Sequence, residues 1–284
     1  MKRFLLFLSL CMGGVTASTA VADGHGDHAS KTIDQVLAEQ TDEIKARYDA
    51  RNPKETLEFF GIRPGDRVFE AGPGGGWYSR ILTSYLGEEG TLLAVDYDPA
   101  IFDYWNVSDE FRENRKTWTE TFPLKKEEWG IEGGAEIIGA RFGAIPDSLN
   151  GTMDSALFIR AIHGFARHED KGQFLSNALA DSFTALKSGG TLGIVQHAAR
   201  EDRSDEWASG SAGYLKASYV IKMASDAGFE FVESSNINAN EKDQAREGDV
   251  VWRLPPSMNV DGVDKDAMKA IGESNRMTLK FKKP

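Results

Sequence analysis

The chain has 284 residues, a formal net charge of −11, 40% hydrophobic residues and one cysteine. This length buries a substantial core without disulfides, which excludes an intrinsically disordered chain and a small disulfide-stapled scaffold. The acidic balance repels phosphate backbones and anionic headgroups, and no run of five or more Lys or Arg offsets it, so we expect a small-molecule partner and no nucleic acid.

Residues 1–22 have the organisation of a secretory signal peptide. Two basic residues precede an apolar run over 4–12, and small residues lead to an A-x-A motif at 20–22. The run is shorter than the roughly 20 residues of a membrane-spanning helix. We therefore expect cleavage after Ala22, export to the periplasm or the medium, and no integral membrane segment after cleavage.

Residues 23–31 are predicted to form a flexible arm rich in Gly and His. After cleavage, Asp23 would carry the free amino group and His25 would be the third residue. A terminal amine, two amide nitrogens and an imidazole make a square-planar nitrogen set that suits Cu(II) or Ni(II). His25 is thus a candidate metal ligand, and the alternative is an arm that serves only solubility.

The remainder, 32–284, is predicted to be one domain that opens with helices over 32–61. Thr32 and Gln35 form a capping box, and apolar residues at helical spacing predict an amphipathic helix over 32–50. Asn52-Pro53 begins a second helix, which Gly61 ends.

From residue 62 onward, strands alternate with helices, a pattern typical of a parallel sheet covered on both faces. The connection 97–134 is aromatic-rich and too long for a bare loop, which predicts a helix packed on the sheet, with substrate-facing rings as the alternative. The predicted elements in chain order are a strand at 68–70, a glycine loop at 72–76, a helix at 77–86, and strands at 92–96, 135–138, 155–159 and 191–195, with a helix over 174–186 before the last.

The glycine loop lets the backbone approach a ligand closely, because glycine lacks the side chain that would block it. Trp77 stands where a dinucleotide motif would have its third glycine, which disfavours NAD and FAD. The residues instead match E-x-G-x-G-x-G, and an acid closes the next strand. This motif comprises Glu70, Gly72, Gly74 and Gly76, followed by Asp96.

This combination resembles the class I S-adenosylmethionine-dependent methyltransferases. In that family the loop wraps the amino-acid end of the cofactor, and the acid closing the second strand takes the ribose hydroxyls. Two vicinal hydroxyls are donors that suit a carboxylate. The resemblance implies S-adenosylmethionine as cofactor and a Rossmann-like, doubly wound, seven-stranded α/β sheet, mostly parallel with an antiparallel last strand. The cofactor-binding residues it implies are Glu70, Gly72, Gly74, Gly76 and Asp96.

Later segments extend the resemblance, and one departs from it. Residues 154–159, 186–192 and 227–230 resemble the family's fourth strand and the entries to its fifth and sixth. Residues 236–240 and 274–281 are similar to a group of exported bacterial predicted methyltransferases. After the third strand, 139–143 lack the acid that often accepts from the adenine amino group, so backbone groups or stacking must hold the base.

Candidate catalytic residues follow the fourth and fifth strands, because ligands of open α/β sheets bind outside the carboxyl ends of strands. His163 is a candidate base or donor to the acceptor, and His197 is a second. Arg160 is a candidate clamp for a carboxylate or phosphate. The alternatives are histidines satisfied by backbone groups and an arginine paired with a surface acid. The core histidines lack acid or cysteine neighbours at metal-ligand spacing.

The predicted function is methyl transfer to a small molecule or an exposed side chain. Export raises two alternatives, because S-adenosylmethionine is made in the cytoplasm. One is a sensor or scavenger that binds S-adenosylmethionine or S-adenosylhomocysteine without transferring methyl, and the other is hydrolysis or lyase chemistry on the sulfonium.

Overall fold

The computed structural model describes Met1 and residues 30–284. The predicted signal peptide and the arm with His25 fall almost entirely on residues 2–29, outside the described residues, and both are still predictions. Among the helices that the structure describes, none is long and apolar enough to cross a membrane.

One mixed sheet forms the centre of the molecule. Its strands run in the order β3-β2-β1-β4-β5-β8-β7, and β6 pairs with the far end of β5. β1 to β5 are parallel, whereas β8 is antiparallel to both of its neighbours. The predicted Rossmann-like sheet with an antiparallel last strand is confirmed, and the two-residue β6 is an addition. The strands are β1 (Arg67–Ala71), β2 (Thr91–Asp96), β3 (Glu136–Arg141), β4 (Met153–Ile159), β5 (Leu186–Ala199), β6 (Leu215–Lys216), β7 (Glu230–Ser235) and β8 (Arg276–Lys282).

Helices connect the strands and cover both faces of the sheet. They are α1 (Ile33–Ala38), α2 (Asp42–Lys45), α3 (Tyr48–Arg51), α4 (Pro53–Phe60), α5 (Trp77–Leu86), α6 (Asp109–Lys116), α7 (Trp118–Thr121), α8 (Lys125–Glu128), α9 (Ile162–Ala166), α10 (Glu169–Gly172), α11 (Phe174–Ala185), α12 (Ala217–Asp226) and α13 (Lys265–Ile271), with single 3-10 turns at Pro99–Asp103, Asp147–Leu149 and Val251–Arg253. The connection 97–134 is partly helical, as predicted.

The prediction of one helix over 32–50 is wrong, because α1, α2 and α3 replace it. The capping box at Thr32 and Gln35 is present. The chain leaves helical geometry at Thr41, whose backbone is extended (φ −67°, ψ 158°). The Gln40 side-chain amide donates to the Val36 carbonyl (3.1 Å), so a side chain satisfies a helix-end acceptor that a further turn would otherwise use. The second predicted helix, α4, is confirmed.

The core lies on both faces of the sheet, since parallel strands are buried on both sides. Along β2, Leu92 and Ala94 join one apolar cluster while Leu93 and Val95 join the other. α1, α4 and α5 cover the first face, and α9, α11 and α12 cover the second. The two-residue period of a strand thus divides consecutive apolar residues between the two clusters.

A third, smaller apolar cluster lies beyond the end of β5. It is built by residues 200–214 and 236–260, which we call the covering layer. Tyr214 is fully buried there and donates to Asp243 (2.9 Å), which also pairs with the buried Arg253 (2.9 Å). This network holds the covering layer over the carboxyl ends of the central strands.

Candidate active site

A cavity of about 670 Å³ opens at the carboxyl ends of β1, β4 and β5. The glycine loop 72–76 forms one wall, and the residues that follow β4 and β5 form another. Residues 43–51 of the N-terminal helices and residues 251–257 of the covering layer complete it. The cavity therefore lies where the topology of an open α/β sheet places a ligand.

The glycine loop leaves its backbone open on the cavity side. A Cβ added at Gly74 or Gly75 would meet nothing within 4 Å. Gly76, which begins α5, has φ +83°, and a Cβ there would come within 2.5 Å of the Trp129 ring. Glycine is needed at Gly76 for both conformation and space, whereas at Gly75 its absent side chain leaves room for a ligand.

The two predicted cofactor acids lie behind this wall and have partners within the protein. Glu70 is buried and accepts from the Ser79 hydroxyl of α5 (2.6 Å), and burial raises its pKa to about 7. Asp96 is also buried, and its Oδ2 accepts from the Arg115 guanidinium (3.0 Å). Burial raises the pKa of Asp96, and Arg115 opposes that shift. Neither side chain lines the cavity.

The position that lacks the adenine-binding acid has a structural role. Arg141 ends β3 and donates to the carbonyls of Arg115 and Lys116, which anchors the end of α6. Three aromatic residues of the connection 97–134, Tyr97, Trp105 and Trp129, line the cavity, whereas Phe102 is buried in the core. The connection thus serves both packing and the cavity wall, and it offers ring faces for stacking.

The predicted catalytic histidines are brought together at the cavity wall. The rings of His163 and His197 have centroids 5.3 Å apart. The amide nitrogen of Gln196 donates to the Gly213 carbonyl (2.8 Å), so its Oε1 faces His163 Nδ1 (3.2 Å). The hydrogen-bond network therefore assigns the proton to Nδ1 and leaves a lone pair on Nε2 of His163.

Both imidazoles are neutral at physiological pH. Burial lowers the pKa of His163 to about 4, and it lowers that of His197 well below the usual value. His197 Nδ1 also contacts the Ser274 hydroxyl (2.5 Å). Within residues 30–284, no group of three His, Cys, Asp or Glu side chains is arranged to hold a metal ion.

Arg160 enters the cavity from the end of β4. Its backbone has φ +57°, a left-handed conformation that costs free energy in a non-glycine residue, and its N–H donates to the Val195 carbonyl (2.7 Å). Burial and the neighbouring Arg51 lower its pKa to about 9. The structure therefore brings Arg160, His163 and His197 to one cavity, together with the glycine loop.

Three arginines that surround Glu273 beside the cavity were not identified from the sequence. Two arginines pair with Glu273 Oε1, Arg47 at 2.8 Å and Arg51 at 3.2 Å. Arg276 lies 3.3 Å from Oε2 of the same carboxylate. The Arg51 guanidinium also stacks on Trp77 (4.6 Å). The available signal was the four-residue spacing of Arg47, in the predicted helix over 32–50, and Arg51, which directly follows that helix. We call Arg47, Arg51, Arg160 and Arg276 the arginine cluster.

Three buried N–H donors of the cavity wall have no hydrogen-bond partner. They are Trp77 Nε1, Trp105 Nε1 and Arg160 Nε. Buried donors in folded proteins are nearly always paired, so these three are candidate donors to a ligand bound in the cavity. The donor set suits a ligand rich in nitrogen and oxygen acceptors, such as an adenosine compound.

Comparison with solved structures places this fold among methyltransferase folds. The [4+2]-cyclase SpnF has a TM-score of 0.50 and 14% identity, covering 83% of this chain and 80% of that one. A geranyl diphosphate methyltransferase in complex with SAM has the same TM-score and identity, covering 92% of both chains. A SAM-dependent methyltransferase from Aquifex aeolicus has 19% identity and a TM-score of 0.48, covering 73% and 94%.

Sequence comparison adds no family assignment, since no protein-family model and no curated protein matches the chain. At these identities the likeness to SpnF and to the geranyl diphosphate methyltransferase establishes the fold. The chain therefore has the Rossmann-like fold of the class I methyltransferases, as its glycine motif predicted.

Proposed function

We propose that this protein is an exported S-adenosylmethionine-dependent methyltransferase that acts on a small molecule. The observation that carries the proposal is the cavity itself, in which a backbone-open glycine loop faces neutral imidazoles and three unpaired buried donors. The neighbour crystallised with SAM supports the choice of cofactor. Export rests on the organisation of residues 1–22.

The residues present suit the cofactor. Gly74 and Gly75 leave room for its amino-acid end, and the Trp105 and Trp129 rings offer stacking surfaces for its base. Asp96 lies behind the cavity wall, so its proposed role as acceptor for the ribose hydroxyls, through the carboxylate oxygen that Arg115 leaves free, requires its side chain to become exposed to the cavity when the cofactor binds. When bound, S-adenosylmethionine supplies the methyl group and a sulfur leaving group.

The chain's own groups align the acceptor and remove its proton. His163 Nε2 carries a lone pair, so it accepts a proton from the acceptor as the new bond to the methyl group forms and the bond from methyl to sulfur breaks. Arg160 orients the acceptor through its planar fork. The covering layer, through Trp252 and Leu254, limits access of water to the cavity.

Calorimetric titration of the full chain with S-adenosylmethionine and S-adenosylhomocysteine tests the cofactor site. We expect micromolar binding of both and a loss of tenfold or more, about 1.4 kcal/mol, in Asp96→Ala. Asp103→Ala is the matched control, because Asp103 lies on the connection that follows β2, is 74% exposed and pairs with Arg112. Absence of binding to either ligand contradicts the proposal.

Two other functions are distinguished by analysing the products formed from bound S-adenosylmethionine with and without methyl acceptors. The [4+2]-cyclase shares the fold, so tight binding of cofactor with no methyl transfer to any acceptor supports a non-transferring role. Release of free methionine, homoserine lactone or methylthioadenosine from S-adenosylmethionine alone supports hydrolysis or lyase chemistry.

A further inference from the structure

Positive charge is concentrated in the cavity of a protein that is acidic overall. The chain carries a net charge of −11, yet Arg47, Arg51 and Arg160 line the cavity, as does Arg80. The opposing charges in the wall are those of Glu43 and Glu273. Because the cavity walls exclude water, this local excess attracts anions despite the overall charge.

Glu273 balances a small part of this charge. Arg160 lies 3.7 Å from Glu273 Oε2, so all four members of the arginine cluster surround one carboxylate. Within residues 30–284, Glu273 is the carboxylate that pairs with each of them. Buried charges are costly unless they are paired, and one carboxylate leaves three guanidiniums in excess.

The proposed cofactor does not supply the missing charge. S-adenosylmethionine has one carboxylate, one ammonium and one sulfonium, so it brings a net positive charge into the cavity. The carboxylate that neutralises one arginine is outweighed by the cofactor's own two cations. An anionic second ligand would supply the negative charge that the cofactor does not.

We propose that the methyl acceptor is a small anion, a carboxylate or a phosphate monoester on an apolar body, held by Arg160 and Arg47. This inference rests on the proposed function. The buried Arg160 Nε has no partner in the protein, and a guanidinium fork binds carboxylate or phosphate through two parallel hydrogen bonds. The nearby Trp252, Leu254 and Pro255 give the apolar body a matching surface.

The members of the cluster differ in their access to the cavity. Arg51 and Arg276 are 5% and 3% exposed and tie α3 and β8 to Glu273. Arg47 and Arg160 are 32% and 26% exposed, so of the three members that line the cavity, Arg47, Arg51 and Arg160, these two are the more accessible. Arg51 and Arg276 therefore hold the structure together, while Arg47 and Arg160 have donors left for a ligand.

Thermal unfolding of the full chain saturated with S-adenosylhomocysteine tests the inference. The probes are benzoate and phenyl phosphate, with benzamide as the uncharged match for benzoate, all at constant ionic strength. We expect the anions at about ten times their dissociation constant to raise Tm by about 2–4 °C, and benzamide to leave it unchanged.

Variants locate the anion site. Arg160→Gln and Arg47→Gln are each expected to remove most of the shift, and Arg160→Lys to keep part of it, since it retains charge without the fork. Arg200→Gln is the control, because Arg200 is 58% exposed and pairs with Asp202 outside the cavity. The Arg47 variant keeps the test decisive if Arg160→Gln does not fold.

The outcomes separate the inference from the proposed function. S-adenosylhomocysteine binding without any anion-specific shift overturns the anionic acceptor alone, as does an equal shift with benzamide or a shift that persists in both glutamine variants. Failure of S-adenosylhomocysteine to bind overturns the proposed function. An effect of benzoate without phenyl phosphate, or the reverse, identifies the acceptor's anionic group.

Discussion

His163 is held in one tautomer by a glutamine whose own orientation is fixed. Gln196 is fully buried and donates to the Gly213 carbonyl, which leaves its oxygen for His163 Nδ1. Because the ring is half-buried in the cavity wall, its protonated form is disfavoured and its Nε2 lone pair is available at neutral pH. A base of this kind is preorganised before any acceptor binds.

Replacing His163 with Gln should remove one acid-sensitive contribution to stability. The pKa of His163 is about 4 in the folded chain and about 6.5 when unfolded. The unfolded state therefore binds more protons in this window, and stability is lost as pH falls from about 6.5 towards 4. The free energy of unfolding of His163→Gln relative to wild type should be constant above about pH 7 and improve below pH 6.

Urea unfolding of both proteins at several pH values between 4.5 and 8 measures this difference. A difference independent of pH would contradict the neutral, buried imidazole. Nitrogen NMR of the wild type is the second readout, in which Nδ1 should be protonated and Nε2 unprotonated at pH 7.

The residues of the glycine loop were predictable from the sequence, whereas this histidine's environment was not. Gly72, Gly74 and Gly76 form a local motif whose geometry follows from strand, turn and helix. The role of Gln196 depends on the carbonyl of Gly213 in the covering layer. Sequence alone also could not show that Ser79 donates a hydrogen bond to the Glu70 carboxylate, or that Arg115 donates one to the Asp96 carboxylate.

β3 approaches the backbone of α7 closely at a glycine. A Cβ added at Gly139 would lie well inside van der Waals contact with the backbone of Thr119. β3 packs directly against the α7 backbone because Gly139 has no side chain. This contact fixes the position of the connection 97–134, which carries Trp105 and Trp129 to the cavity.

Gly139→Ala should destabilise the protein, because the backbone of α7 must shift to admit the methyl group. We expect a loss of about 1–3 kcal/mol in the free energy of unfolding, measured by chemical denaturation. Gly75→Ala is the control, since its Cβ meets nothing within 4 Å and its backbone is outside the left-handed region. Equal losses in the two variants would contradict the packing described here.

At the scale of elements, apolar runs and helical periodicity predicted β1 to β5 and the helices α4, α5 and α11. The boundaries of α4, α5 and β2 match because each has a local start or stop residue, such as Pro53 or Gly87. The division of 32–50 into three helices depends on a side chain that satisfies a backbone carbonyl. The covering layer shows no apolar periodicity in its sequence. Its structure is held by the hydrogen bonds among Tyr214, Asp243 and Arg253, which sequence periodicity does not reveal.

Across the whole molecule, Glu273 joins chain segments far apart in sequence. Arg47 and Arg51 come from the N-terminal helices, Arg160 follows β4, and Arg276 begins β8. Although burial would raise the pKa of Glu273, Arg51 and Arg276 outweigh it and lower the pKa below its usual value. The carboxylate therefore stabilises the fold above about pH 4.5, and this contribution is lost as pH falls through its folded pKa.

Glu273→Gln should be among the most destabilising single changes. Removing one partner of a buried ion pair costs about 3–5 kcal/mol, because the remaining charges are left uncompensated. Glu233→Gln is the matched control, since Glu233 is 53% exposed and its pair with Lys280 is worth at most about 1 kcal/mol. Urea unfolding at pH 7 compares the two, and a similar small loss in both would refute the role assigned to Glu273.

A crystal structure of the full chain with S-adenosylhomocysteine and phenyl phosphate tests most directly whether the cofactor and the anionic acceptor bind in the same cavity. We predict S-adenosylhomocysteine with its amino-acid end along residues 72–76, and the phosphate within hydrogen-bond distance of Arg160 and beside His163. Density for either ligand outside this cavity, such as in the shallow depression between Trp207 and Asp249, would contradict a single site for cofactor and anionic acceptor.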